Sequence, residues 1–314
     1  MDDAIPDRDL LFIPVTRDEF VRLVDQAAEP CPSLRAIADA FTHNILAVSS
    51  MCSVPFLMGA VLVQDRRLHL LTLAHQIREG APWADASEQD RIEREAVAAA
   101  SQRVESEGLP PTEAVLRSAA PIADAFRDGI EELLREGLVL AWSALEVLVT
   151  DLVREVLNRK PECVEKIMAD PVCRRWFDLR AVPITLLQDH SFNLATSMGD
   201  VVLDQRRLDG FPAMKAILTA LFADEHDIAT VLRNDGLHVL SQRRNIIVHR
   251  RGVVDAEFMR KVPAAGPVGS RIRTSAADVD AALILVRDVG AVLIAAAGSL
   301  LEGGGNTAEA GAAG

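Results

Sequence analysis

The chain contains no tyrosine, only four lysines among 314 residues, and 4% aromatic residues. Sheets built on aromatic and β-branched side chains fit that mix poorly. Cysteine is equally sparse: Cys31, Cys52, Cys163 and Cys173 form no Cys-x-x-Cys pair and sit in apolar context. This excludes a disulfide scaffold and a thiolate zinc site, and leaves reduced, buried thiols in a cytoplasmic protein as the expectation. A signal-peptide core is missing after the acidic start Met1-Asp2-Asp3. The apolar stretch 283–301 is broken by Arg287 and Asp288, and the uncharged part 289–301 is too short to span a bilayer. A buried core helix, with no membrane partner, is expected there. Positive charge is also in deficit, with 33 basic against 46 acidic residues and a net charge of −13. A protein that coats nucleic acid over a broad basic surface is thereby excluded, but a local basic site is not.

What is abundant is alanine, leucine, valine and arginine, a mix that suits long helices and predicts an all-α fold. Apolar spacing predicts helices over 16–28, 33–46, 56–79 and 87–106, with Thr16 and Ser87 as N-caps (Glu19 and Asp90 follow three residues later) and Pro32 and Pro55 at helix starts. The cluster Gly108-Leu109-Pro110-Pro111 predicts a boundary, with an additional N-terminal helical region over 1–110 and a main helical bundle over 111–302. The best-defined helix is expected over 123–159. Leu134, Leu138, Ala141, Leu145, Leu148 and Leu152 recur there every three or four residues, forming a bundle-type seam, and Pro161 stops the helix. Weaker helices are expected over 163–177, 183–202, 212–222, 225–249 and 276–301. The Gly/Ala-rich tail 303–314 is expected to be disordered.

The segment Arg243-Arg244-Asn245-Ile246-Ile247-Val248-His249-Arg250-Arg251-Gly252 sets a histidine, which titrates near neutral pH, among arginines suited to phosphate. Residues 233–261 hold seven Arg or Lys against three acidic residues, a net +4 in an acidic chain. Such a patch steers an anion towards itself. On a helix ending at Gly252, Asn245 and His249 share a face, whereas Arg244 lies about 140° from His249. Either the helix loosens before His249, or a second copy completes the site. Leu237, Leu240, Ile247 and Val248 are expected to face inward, and Arg244, falling on that stripe, must be paired or stand at a cleft edge. A plain basic helix end, with His249 on the surface, remains open. His43, His69, His75, His190, His226 and His238 lack ligand spacing, so no metal site and no cofactor is expected.

The Arg-Asn-x-x-x-His string resembles the Arg-polar-x-x-x-His motif of HEPN domains (higher eukaryote and prokaryote nucleotide-binding). The helix carrying Ala141-Trp142-Ser143-Ala144-Leu145-Glu146 and the continuation Gly252-Val253-Val254-Asp255 are similar to that family too. The resemblance covers 118–302 and implies a HEPN-like helical bundle that forms a homodimer through the motif helices. It further implies a metal-independent endoribonuclease, leaving a 2′,3′-cyclic phosphate, of toxin–antitoxin or anti-phage (abortive infection) systems. His249, Arg244 and Asn245 would take the family roles, Glu146 would anchor Arg244 or His249 or serve a polar patch beside Trp142, and Arg243, Arg250 and Arg251 would contact RNA phosphates. The partners so implied are RNA, a second copy and an antitoxin or regulatory protein. The alternatives are a non-catalytic nucleotide- or protein-binding module of the same type and a structural helical interaction protein.

Overall fold

The computed structural model describes residues 9–79, 85–119, 123–177, 179, 182–208, 210–223, 225–262 and 266–303. Among them the chain is all-α, with no strand and one isolated bridge, Val253 to Arg271. The helices are α1 (Arg17–Ala28), α2 (Arg35–Glu79), α3 (Ala86–Glu107), α4 (Thr112–Ala119), α5 (Ala123–Arg159), α6 (Val164–Ala169) and α7 (Cys173–Trp176). They continue with α8 (Ile184–Asp189), α9 (Leu194–Gln205), α10 (Gly210–Leu221), α11 (His226–Val231), α12 (Asp235–Arg250), α13 (Ala256–Lys261) and α14 (Ala276–Glu302). The segment 304–314, expected to be disordered, lies outside the described residues.

The chain groups into two compact units, neither continuous in sequence. The first comprises Met1–Pro14, Ser50–Leu134 and Arg273–Ala277; the second comprises Val15–Ser49, Arg135–Ile272 and Asp278–Gly314. The Gly108–Pro111 cluster therefore falls inside the first unit, and residues 15–49 group with the later helices.

In the first unit, α3 and α4 pack along the second half of α2. Gln64 Nε2 donates to the Gly108 carbonyl at 3.2 Å, and Arg67 pairs with Glu107. The expected start at 56 is corrected: α2 runs on through Pro55. Proline removes a backbone donor, at a typical cost of ~3 kcal/mol in a helix interior. Cys52, Phe56 and Ala60 are buried on one face around it, and this packing offsets the lost backbone bond. The cap of α3 also moves, from Ser87 to Asp85, whose Oδ1 accepts from the Glu88 amide at 2.9 Å. At α1, Thr16 is the N-cap as expected but makes no side-chain capping bond, and the Glu19 side chain lies outside the described residues.

The second unit is built on α5, whose ends match the expected 123–159. Along it Leu138, Ala141, Leu145, Leu148 and Leu152 are each at most 2% exposed. Trp142 meets Phe211 of α10 edge-to-face, centroids 5.8 Å apart. Gly290 of α14 lies where any Cβ would strike the Phe41 ring and come within 3.0 Å of Leu148, so α2, α5 and α14 converge at a point only glycine fits. A polar latch ties α9 to α5: Asn158 accepts from the Gly199 amide at 2.7 Å and donates to Asp200 at 2.9 Å, and Arg154 pairs with Asp200 at 3.0 Å.

Three expected helices prove to be pairs. The span 163–177 divides into α6 and α7 at Asp170-Pro171, where Asp170 is extended ahead of the proline. The span 183–202 divides at Ser191 and Phe192, both at positive φ, and its second half extends to Gln205. The motif helix does not start at 225: α11 ends at Val231, and α12 restarts after Asn234. Helices α2 and α14 are both long and apolar enough to cross a membrane by length and composition. α14 buries Val279, Leu283, Val286, Leu293 and Ile294, as expected of a core helix.

Candidate functional site

α12 owes its start to Asn234, whose side chain accepts from the Gly236 amide at 2.8 Å, and Asp235 adds an anion where the helix dipole favours one. Its inner face is Leu237, Leu240, Ile246 and Ile247, all buried. Val248, expected among them, is instead 49% exposed, and Ile246 takes its place. The helix closes at Arg251, in the left-handed conformation at φ 53°, with Gly252 at φ 77° donating to the Ile246 carbonyl at 3.0 Å. The stop is thus a two-residue turn and not Gly252 alone. Residues 252–254 then pair with 269–272 through Ile272 N to Gly252 O and Val254 N to Ser270 O, both 2.8 Å.

Because α12 is helical through Arg250, it does not loosen before His249. Arg244 and His249 therefore leave the axis about 140° apart, and their side chains alone decide whether they share a face. Glu146 joins Arg244: its Oε2 lies 3.5 Å from Arg244 Nη2, while Oε1 accepts from Trp142 Nε1 at 2.7 Å. Arg244 Nη1 donates in turn to Asn245 Oδ1 at 3.2 Å. The result is one chain of contacts, Trp142 to Glu146 to Arg244 to Asn245, anchored on a buried indole. Arg244 Nε is buried and has no partner among the described residues. This satisfies the expectation that an arginine on the inner stripe must be paired, and sets the guanidinium on the Asn245 side of the helix.

The remaining residues divide. His249 is exposed, makes no hydrogen bond among the described residues, and stands one turn beyond Asn245 on the same face. Arg250 is exposed and lies 3.8 Å from Asp255, the N-cap of α13. The exposed Arg251 accepts from Arg271 Nε through its backbone carbonyl at 3.1 Å. Arg243 is drawn into the protein, its Nη1 bonded to Asp278 Oδ1 at 2.7 Å. Sequence reasoning missed Asp278 because it lies 35 residues away on another helix. The Trp142–Glu146 bond, by contrast, is an i,i+4 pair on α5 that spacing could have revealed. No cluster of His, Cys, Asp and Glu able to hold a metal occurs among the described residues. Of the other histidines, His190 contacts Asp204 at 3.0 Å, far along the chain from the motif.

The arrangement can hold an anion against a braced guanidinium, and it offers a free imidazole to solvent one turn away. No protein-family model matches the chain, and comparisons with curated proteins and with solved structures return no match.

Proposed function

We propose that the chain is a metal-independent endoribonuclease of HEPN type, acting as a homodimer in toxin–antitoxin or anti-phage defence. The observation that carries this reading is the braced Arg244, held between Glu146 and Asn245 on the helix whose next turn presents an unbonded His249. In the reaction, His249 takes the proton of the ribose 2′-hydroxyl. The freed oxygen attacks phosphorus, and the bond to the 5′-oxygen breaks. That oxygen takes a proton from water, leaving a 2′,3′-cyclic phosphate and a 5′-hydroxyl, and His249 returns its proton to solvent. Arg244 stabilises the charge that grows on the phosphorane oxygens. Asn245 orients the guanidinium. Arg250 and Arg251 hold the neighbouring phosphates, and Arg243 less so, because Asp278 already holds it.

Purified wild type, His249→Ala and Arg244→Ala are incubated with mixed RNA in EDTA. Cleavage by wild type to cyclic-phosphate ends, lost in both variants, is the expected result. Equal and negligible cleavage by all three would sink the proposal. A second reading, a non-catalytic module that binds a nucleotide or a protein, is favoured by the carboxylates that already face Arg243 and Arg244. On that reading His249→Ala leaves ligand binding intact.

A further inference from the structure

In the first unit, α2 has two unlike faces. The inner face buries Cys52, Phe56 and Ala60, and Gly59 stands against Val115 of α4. The outer face carries Met58, Val61 and Leu62 on one side of Asp65-Arg66 and Leu70, Leu73 and Ile77 on the other, all between 44% and 73% exposed. An apolar strip of this kind, interrupted at its centre by Asp65, Arg66 and His69, marks an interaction surface on a folded chain. From Val54 to Ile77 the strip is about 35 Å long at 1.5 Å per residue. Its exposed positions fall on two adjacent rows of spacing four (58, 62, 66, 70 and 61, 65, 69, 73). Those are the ridges that interdigitate when two helices cross.

The strip is also chemically palindromic. A two-fold axis between Asp65 and Arg66 sets Val61 opposite Leu70, Met58 opposite Leu73 and Val54 opposite Ile77. It sets Leu62 opposite His69, whose ring offers an apolar flank. At the centre it sets Asp65 of each copy opposite Arg66 of the other. Neither charge has an ion-pair partner among the described residues, whereas the adjacent Arg67 is paired with Glu107. We infer that this face of α2 is a homotypic docking surface, on which a second copy of the chain seats antiparallel with two reciprocal Asp65–Arg66 pairs at the axis. Charge complementarity decides the occupant. Lipid would leave Asp65 and Arg66 unpaired in the middle of an apolar strip, while a second copy pairs both. The inference stands apart from the ribonuclease reading, which concerns α12.

Sedimentation velocity on the full-length chain at tens of micromolar is expected to show self-association that Val61→Asp with Leu70→Asp abolishes. Far-UV circular dichroism stays unchanged, because both side chains are in solvent. Asp65→Arg alone and Arg66→Asp alone each lose the same association step. Mixing these two singly substituted chains restores it, since each arginine then meets an aspartate. A separate dimer through α12 does not blur the readout: one association step of two is lost, and the mixture recovers that step. Three results overturn the inference. They are a wild type monomeric throughout, an assembly that the double substitution leaves unchanged, and a monomeric wild type that floats with phosphatidylcholine–phosphatidylglycerol vesicles through this face.

Discussion

Helices α5 and α2 are the two longest helices among the described residues, at 37 and 45 residues, and both are rich in leucine and valine. Their fates differ. On α5 the seam from Leu138 to Leu152 is shut away, met by Phe211 of α10 on one side and the Gly290 notch of α14 on the other. On α2 beyond Ser50, α3 and α4 cover one face, and the opposite face keeps Met58, Val61 and Leu62 in solvent. Apolar content is therefore a poor guide to burial, because the neighbours a helix acquires decide it.

The largest effect that tests the contrast is truncation on each helix. Leu148 is 1% exposed, and Leu148→Ala is expected to cost about 2–5 kcal/mol. Val61→Ala, at 63% exposure, is expected to stay within about 0.5 kcal/mol when measured by urea denaturation at concentrations where the chain is monomeric. Equal costs at the two positions would collapse the distinction between the helices.

The next effect sharpens what closes the α5 seam. A Cβ at Gly290 meets the Phe41 ring and Leu148, so Gly290→Ala is expected to destabilise by about 1–3 kcal/mol. Gly129, on the N-terminal turns of α5, has nothing within 4 Å of a built Cβ. There the same substitution is expected to stabilise by about 0.5–1 kcal/mol through helix propensity alone. Opposite signs in thermal denaturation are the expected outcome, and a stabilised Gly290→Ala would mean that the three-helix junction is loose.

Legibility in the sequence follows the same division. The ends of α5 could be read because its period of three and four is unbroken and Pro161 terminates it. Pro55 misled because a local rule, that proline opens a helix, is overruled by burial of Cys52 and Phe56 on either side. The break at 232–234 was visible in principle, since Asn234-Asp235 is a strong N-cap pair, but the apolar pattern around Ile228 and Leu237 continued across it. At the candidate site, Arg244, Asn245 and His249 stood out by spacing and residue chemistry, whereas Glu146 entered only through the family resemblance. What held Arg243 was not legible, because Asp278 comes from α14 and no local pattern reports a partner that distant.

Helix caps give a smaller effect, on both sides of the comparison. Asp85→Ala removes the acceptor for the Glu88 amide at the start of α3, which covers the inner face of α2. Asn234→Ala removes the acceptor for Gly236 at the start of α12. Each is expected to cost about 1 kcal/mol in thermal denaturation. An undiminished stability for Asp85→Ala would mean that α3 is held by packing on α2 without need of its cap.

The smallest effect on stability, and the sharpest test of the two faces of α2, uses thiols. Cys52 is buried on the inner face with its Sγ donating to the Leu133 carbonyl at 3.9 Å. Burial pushes its pKa up to about 12, and does the same for Cys173. The thiolate is the reactive form, so all four native cysteines, each buried, are expected to resist a thiol-specific disulfide reagent at pH 8 until the chain unfolds. Val61→Cys on the outer face is expected to react at once and stoichiometrically at concentrations where the chain is monomeric, with stability changed by less than about 0.5 kcal/mol. The raised thiol pKa values also fix a sign. The folded chain keeps these protons while the unfolded chain gives them up near the ordinary value of 9. The stabilisation is thus complete below pH 9 and falls as pH rises from 9 towards 12. Cys52→Ala should flatten that decline, and a decline identical to wild type would show that Cys52 is wetter than its place on the inner face of α2 demands.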